Sequence, residues 1–270
     1  IRGYYMKKFW FILTALVATC FLVACSGSQG VSPKTIKEKK KIVVATESEF
    51  APFEFKSLVN GKDTLVGADI ELAKAIGEKL GVKVEFSVMS FDNVLANVQS
   101  GKADIAIAGI SVTDERKKVY DFSDSYYTSE NVVIVKKDKV NDYTSTDSLA
   151  KQTVGTQKGS VQETVAKKQI PKASVVSLTS NGEMINELKS GQLQAVVLEK
   201  AIAEGYIAQN DDLTLANFNL KSDGTDAYAV ATRKGSDDLL KEINAVIKET
   251  KDSGKFDQWL KEASTYKQSK

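Results

Sequence analysis

Short apolar runs rich in β-branched residues alternate along this chain with stretches whose apolar positions recur every three or four residues. Lys41 to Thr46 is the first such run and predicts a strand. Ile70, Ala73, Ile76 and Leu80 then follow helical spacing and stop at Gly81, a residue suited to the left-handed turn that ends a helix. Val82 to Val88 alternates as a strand does. Val94 to Ser100 reads as a helix closed by Gly101, and Ala103 to Ile110 as a nearly continuous buried strand. That order argues for an α/β unit with a largely parallel sheet flanked by helices.

The second half repeats the order. Asn97 to Ala108 (NVQSGKADIAIA) parallels Glu187 to Leu198 (ELKSGQLQAVVL), while Thr153 to Gly155, Ser160 to Lys168 and Ser174 to Leu178 read as strand, helix and strand. Two similar lobes follow. The chain ends in two amphipathic helices, one with Leu239, Leu240, Ile243, Val246 and Ile247 on its apolar face, the other with Phe256, Trp259 and Leu260. Packed back on the first lobe, they give a lobe 1 of residues 41–130 and 225–270 and a lobe 2 of residues 131–224. Glu130 to Val135 and Ala227 to Thr232 are then the two crossing strands of a hinge.

The N-terminal region has the pattern of an export signal. Lys7 and Lys8 precede an apolar stretch from Phe9 to Val23, and Leu22-Val-Ala-Cys25 closes it with small residues before a cysteine. This ending resembles the bacterial lipobox, which implies cleavage of residues 1–24 and acyl chains on Cys25; the alternative is an uncut signal anchor. Residues 1–5 precede Met6 and read as an over-read of the frame. Residues 25–40, continuing to Lys41, carry Ser, Gly, Gln and Lys with almost no large apolar residue and predict a solvated tether. The body is expected outside the cytoplasmic membrane, held to its outer face.

Composition removes several kinds of chemistry. The chain has no histidine and two cysteines, Cys20 in the signal and Cys25 at its end, so the mature body offers no thiol and no imidazole. Metal sites and His-dependent catalysis are poor matches. The formal net charge of +2 gives no basic footprint for nucleic acid. No cofactor is implied, and no P-loop is present that would make the chain its own ATPase.

Gly109-Ile-Ser-Val-Thr-Asp-Glu-Arg116 follows the C-terminal end of the 103–110 run, the edge where open α/β sheets collect ligands. Thr113 caps a helix that sets Arg116 in its first turn, with a fork able to grip a carboxylate. A solvated helix face beside Lys117 and Lys118 is the other reading of Arg116. In the second lobe, Gly159-Ser-Val-Gln-Glu163 predicts a helix start with a capping box between Ser160 and Glu163, leaving N–H groups for an anion.

The run from Gly109 through Tyr127, with Phe50-Ala-Pro-Phe-Glu-Phe55 and Gly67-Ala-Asp-Ile-Glu-Leu-Ala73, resembles the polar amino-acid-binding proteins of ABC importers, over about Lys41 to Lys261. The resemblance implies a type II periplasmic-binding-protein-like fold, a monomer, and partnership with an ABC permease and a separate ATPase. It places the ligand α-carboxylate on Arg116, and backbone and hydroxyl contacts on Gly109 and Ser111. Gly159, Ser160 and Val161 match the second-lobe carboxylate loop, with only the backbone role open to Val161. Glu199 stands where relatives carry an aspartate for the ligand ammonium; a solvated strand-end acid is the alternative. Glu47, Phe50 and Phe91 match an acid and two aromatics around the ligand side chain, favouring arginine or lysine, with glutamine the alternative. Gln157 is either a further polar contact or an exposed loop residue, and Phe53 and Phe55 belong to the core. An enzyme or a sensor on the same fold is the competing class.

Overall fold

The computed structural model describes residues 30–222 and 224–269. The signal segment and Cys25 lie outside the described residues. The folded body begins earlier than the polarity of residues 26–41 suggests. Pro33–Lys39 is a helix, α1, capped by Ser32, whose Oγ accepts from the Thr35 N–H at 3.2 Å. Ile36 is fully buried, and Val31, also buried, donates its N–H to Ser236 Oγ at 2.8 Å. The expected tether is therefore corrected: one apolar side chain among lysines carries no periodicity, yet it pins the helix to the body.

The chain then builds β1 (Lys41–Thr46), β2 (Glu49–Phe50), β3 (Glu54–Val59), β4 (Lys62–Val66), α2 (Ala68–Leu80), β5 (Lys83–Val88), α3 (Phe91–Gln99), β6 (Ile105–Ala106), α4 (Asp114–Lys117) and β7 (Tyr120–Phe122). It crosses over through β8 (Tyr127–Thr128). The second half holds β9 (Asn131–Lys136), β10 (Thr153–Gln157), α5 (Val161–Gln169), β11 (Ser174–Leu178), α6 (Asn181–Ser190), β12 (Ala195–Glu199), α7 (Lys200–Gln209) and β13 (Leu213–Leu215). The return runs through β14 (Ala227–Tyr228) and β15 (Ala231–Arg233) to α8 (Asp237–Asp252) and α9 (Lys255–Ala263).

Two five-stranded sheets follow one plan. In the first, ordered β5-β1-β6-β15-β7, β1 runs parallel to β5 and β6, while β15 is antiparallel to β6 and β7. In the second, ordered β11-β10-β12-β9-β13, β10 runs parallel to β11 and β12, while β9 is antiparallel to β12 and β13. Each sheet thus takes its fourth strand, β15 or β9, from the segment that has just crossed over. β2, β3 and β4 form a separate antiparallel sheet that the apolar pattern does not announce.

The hinge ribbon pairs Tyr127 with Tyr228 and Thr128 with Ala227. The first crossing lies earlier than the expected Glu130 to Val135, because Asn131–Lys136 is already committed to the second sheet. Residues 103–110 are all buried as expected, but ladder pairing is confined to Ile105–Ala106, and the run turns at Gly109 (φ 53°). α8 and α9 pack against α2, and Phe256 reaches the hinge, its ring 5.4 Å from that of Tyr126. Phe53 and Phe55 are fully buried. Among the described residues no helix is long and apolar enough to cross a membrane.

Candidate functional site

The parallel strands of the two sheets end facing each other. β1 delivers Glu47 just beyond its last residue, and β10 ends at Gln157. The Gln157 Nε2 donates to Glu47 Oε1 and Oε2 at 3.1 and 3.2 Å, so the matching strand ends of the two lobes meet directly. Gln157 is 3 % exposed, which removes the exposed-loop alternative. Burial pushes the Glu47 carboxyl up to about 8; the Gln157 hydrogen bond opposes this, and Glu49 and Glu199 add to it.

Gly109 is where Phe50 comes in. A Cβ built there would stand 2.5 Å from Phe50 Cε1, so the ring lies against bare backbone that a side chain would displace. Ser111 is buried and bridges Tyr228 of the return crossing. Thr113 Oγ1 accepts the Arg116 N–H at 3.1 Å, the cap expected from the sequence. The Arg116 fork is divided between lobes: Nη1 donates to the Ser111 carbonyl at 2.7 Å and Nη2 to the Gly159 carbonyl at 3.1 Å. Its Cζ sits 5.8 Å above the half-buried Phe91 ring. Burial lowers the guanidinium to about 10, against the pull of Glu199 and Tyr120, so it stays a cation at neutral pH. A half-buried side chain with both Nη atoms engaged is not a solvated helix face.

The second lobe contributes mostly neutral groups. Gly159 (φ 78°) lets its loop approach the start of α3, where an added Cβ would lie 3.3 Å from the Asp92 Cα. The expected capping box is corrected. Ser160 Oγ donates instead to the Gln157 carbonyl at 2.7 Å, and Glu163 Oε2 accepts from the Gly159 N–H at 3.2 Å while its Oε1 pairs with Lys167 at 2.6 Å. The hydroxyl closes the preceding turn, which leaves α5 with no side-chain cap at its start and Val161 just inside it. Glu199, 5 % exposed, is no solvated acid. Burial raises it to about 7, opposed by its own backbone N–H, by Gln162, by the Tyr228 hydroxyl and by Arg116.

Several participants carry no sequence signal. Gln162 Nε2 donates to Glu199 Oε1 at 2.7 Å and to Asn131 Oδ1 at 2.6 Å, holding the acid to the first strand of the second lobe. Glu49 Oε2 accepts from Ser180 Oγ at 2.7 Å and from the Gly182 N–H at 3.1 Å, covering the start of α6 from the opposite lobe. Lys158 pairs with Asp92 across the same gap at 3.0 Å. Outside Arg116, a groove between α4 and α5 runs past Gly159, Ser160 and Val161. Among the described residues no cluster of acids or thiols is arranged to hold a metal.

The arrangement can accept one carboxylate and two positive charges. Comparison with known proteins bears on that pattern. The family model for bacterial extracellular solute-binding proteins, family 3, matches residues 42–263. The arginine-binding extracellular protein ArtP of Bacillus subtilis (strain 168) is 34% identical over 261 residues, covering 95% of this chain and 97% of its own length. The ABC transporter glutamine-binding protein GlnH of the same organism is 32% identical over 277 residues, covering 95% and 98%. A solved amino acid ABC transporter substrate-binding protein, AbpA of Streptococcus pneumoniae, bound to L-arginine, is 50% identical and superposes with a TM-score of 0.85 over 88% of this chain and 100% of that one.

Proposed function

We propose, on the premise that this chain belongs to the bacterial extracellular solute-binding proteins, family 3, and is the amino-acid-binding part of an ABC transporter and not an enzyme, that its ligand is a cationic L-amino acid, arginine ahead of lysine. The observation that carries this reading is the set of ionisable groups enclosed between the lobes: two carboxyl groups, Glu47 and Glu199, against one guanidinium, Arg116. An α-carboxylate suits Arg116 and an α-ammonium suits Glu199, which leaves Glu47 for a second positive charge. The arginine-binding relative and the arginine-bound structure support the same choice.

Phe50 and Phe91 are assigned to the ligand side chain, Gly109 and Ser111 to its α groups, and Gly159, Ser160 and Val161 to the carboxylate from the second lobe. On binding, Gln157 yields Glu47, and the Gly159 carbonyl yields one arm of Arg116. Glutamine is the second reading, favoured by the Gln157 contact itself: an amide is seen to satisfy Glu47. The closed, monomeric receptor passes its cargo to a permease with a separate ATPase. Cys25, acylated after cleavage of residues 1–24, holds the body to the outer face of the cytoplasmic membrane.

The test is calorimetric titration of the body from Gly30 onward with the common amino acids, after unfolding and refolding to strip carried ligand. Arginine binding most tightly is the expected outcome, and glutamine binding alone would move the specificity. No binding of any amino acid would overturn the reading. For the anchor, Cys25→Ala should release the protein from the membrane fraction of the expressing cell.

A further inference from the structure

Glu54 on β3 and Asp69 at the start of α2 are 0 % and 1 % exposed. Asp69 uses one oxygen, Oδ2, to accept the Gly109 N–H at 3.0 Å and the Tyr126 hydroxyl at 2.8 Å. Its other oxygen, and both oxygens of Glu54, receive no N–H or hydroxyl from any other described group. What Glu54 meets is Asp69. The remaining ionisable groups that face the pair are Glu47, Glu199, Tyr126 and Tyr228, and none of them is a cation. Two adjacent carboxylates cannot both stay charged away from water, and a single proton between them relieves both the repulsion and the unpaired oxygens.

We infer that Glu54 is held protonated and donates its hydrogen bond to Asp69, making the two a buried positioning pair that fixes the Gly109 backbone at the cleft edge and the Tyr126 hydroxyl beneath the hinge ribbon. The burial directions agree. Glu54 is pushed well up by desolvation and then by Asp69, whereas Asp69 rises only to about 6, because Gly109, Tyr126 and Glu54 all stabilise its charged form against burial. The pair acts on the ligand only through Gly109, and that part rests on the function proposed above. One carboxylate thereby serves both the cleft edge and the segment leading into β8.

Glu54→Gln and Glu54→Met, made in the same body, separate the roles. A glutamine amide donates to Asp69 without a titrating proton. Its arginine affinity should stay within about threefold of the parent, the scale of a mild substitution. Methionine leaves Asp69 without a donor, and affinity should fall about tenfold or more at pH near 8. The deficit should narrow as acidification protonates Asp69. In arginine-saturated protein, where Glu47 and Glu199 are ionised by the ligand, the infrared carboxylic-acid carbonyl band should be present in the parent and absent from Glu54→Gln. Persistence of that band in Glu54→Gln, or equal impairment of the two variants, overturns the inference. If the parent binds no amino acid, the functional reading fails, while the parent-minus-Glu54→Gln difference band of the free protein still decides the pair.

Discussion

The two lobes share a strand plan and differ in what they present at its edge. The first offers Glu47 and Arg116, with Asp69 and Glu54 enclosed behind Gly109. The second offers Gln157, Ser160 and Gln162, with Glu199 enclosed at the strand end. A repeated scaffold therefore fixes where the functional groups stand and leaves their charge free to diverge. The consequence is a division of labour: the first lobe brings the cation and the acid for the ligand side chain, while the second adds Glu199 and closes over with amides and carbonyls. Neutral closing groups are exchangeable, since an amide or carbonyl leaving its partner exposes no buried charge of its own.

Removing the first lobe's cation should do the most damage. Arg116→Ala leaves a ligand carboxylate unpaired in an enclosed site, a loss of about 3 to 5 kcal/mol, or roughly two to three decades in Kd by calorimetry. A loss under about threefold would remove Arg116 from recognition. The second lobe's acid comes next: Glu199→Gln should cost roughly 2 to 3 kcal/mol for every amino acid alike, since all carry the α-ammonium. Glu47→Gln should instead cost arginine about tenfold or more and glutamine little. Equal losses would mean that Glu47 does not read side-chain charge.

Acidity tests the same asymmetry. Glu47 and Glu199 rise to about 8 and about 7, above the ordinary carboxylate values they hold when unfolded. The folded free protein thus binds more protons than the unfolded chain, so its stability is fullest below the ordinary values and falls as pH climbs to about 8. Melting temperatures of the ligand-free body should drop from acid to mildly alkaline pH. Arginine affinity should run the other way, rising over the same range with proton release measurable in buffers of different ionisation heat. A flat profile for both would show that these acids are ionised without ligand. The smallest effect belongs to the cross-cleft pair of Asp92 with the 56%-exposed Lys158. Asp92→Ala should cost at most about 1 kcal/mol of affinity, less at high salt.

Much of this is legible in the sequence, and what is not has physical causes. Lys41–Thr46 and Ser174–Leu178 are strands with the bounds the apolar runs suggest, because short runs of β-branched residues suit a pleated, partly buried surface. The Thr113 cap and the apolar face of α8 are local patterns, and both hold. Ser160 and Glu163 take other partners than their spacing suggests: the Gln157 carbonyl, which also accepts the Ser160 N–H, offers the hydroxyl a competing bond that spacing does not reveal. Gln162, Glu54 and Asp69 acquire their roles only through enclosure by distant segments. A lone glutamine in a helix and an acid in a strand look the same whether they face water or each other. Glu49 is likewise invisible, since its partners Ser180 and Gly182 lie far away along the chain.

The docking of Val31 and α1 onto the body bears on the proposed mooring at Cys25. Gly30 already lies so close to Gly235 that an added Cβ would stand 2.0 Å from its carbonyl oxygen. With Cys25 as the proposed lipid anchor, the chain from Cys25 to Gly30 can reach at most about 18 Å at ~3.6 Å per residue. So short a line permits little drift or tumbling. Under that proposed anchor, the patch around Gly30 and Gly235 would stay near the bilayer, and the receptor would search for its permease as a body swivelling about one point.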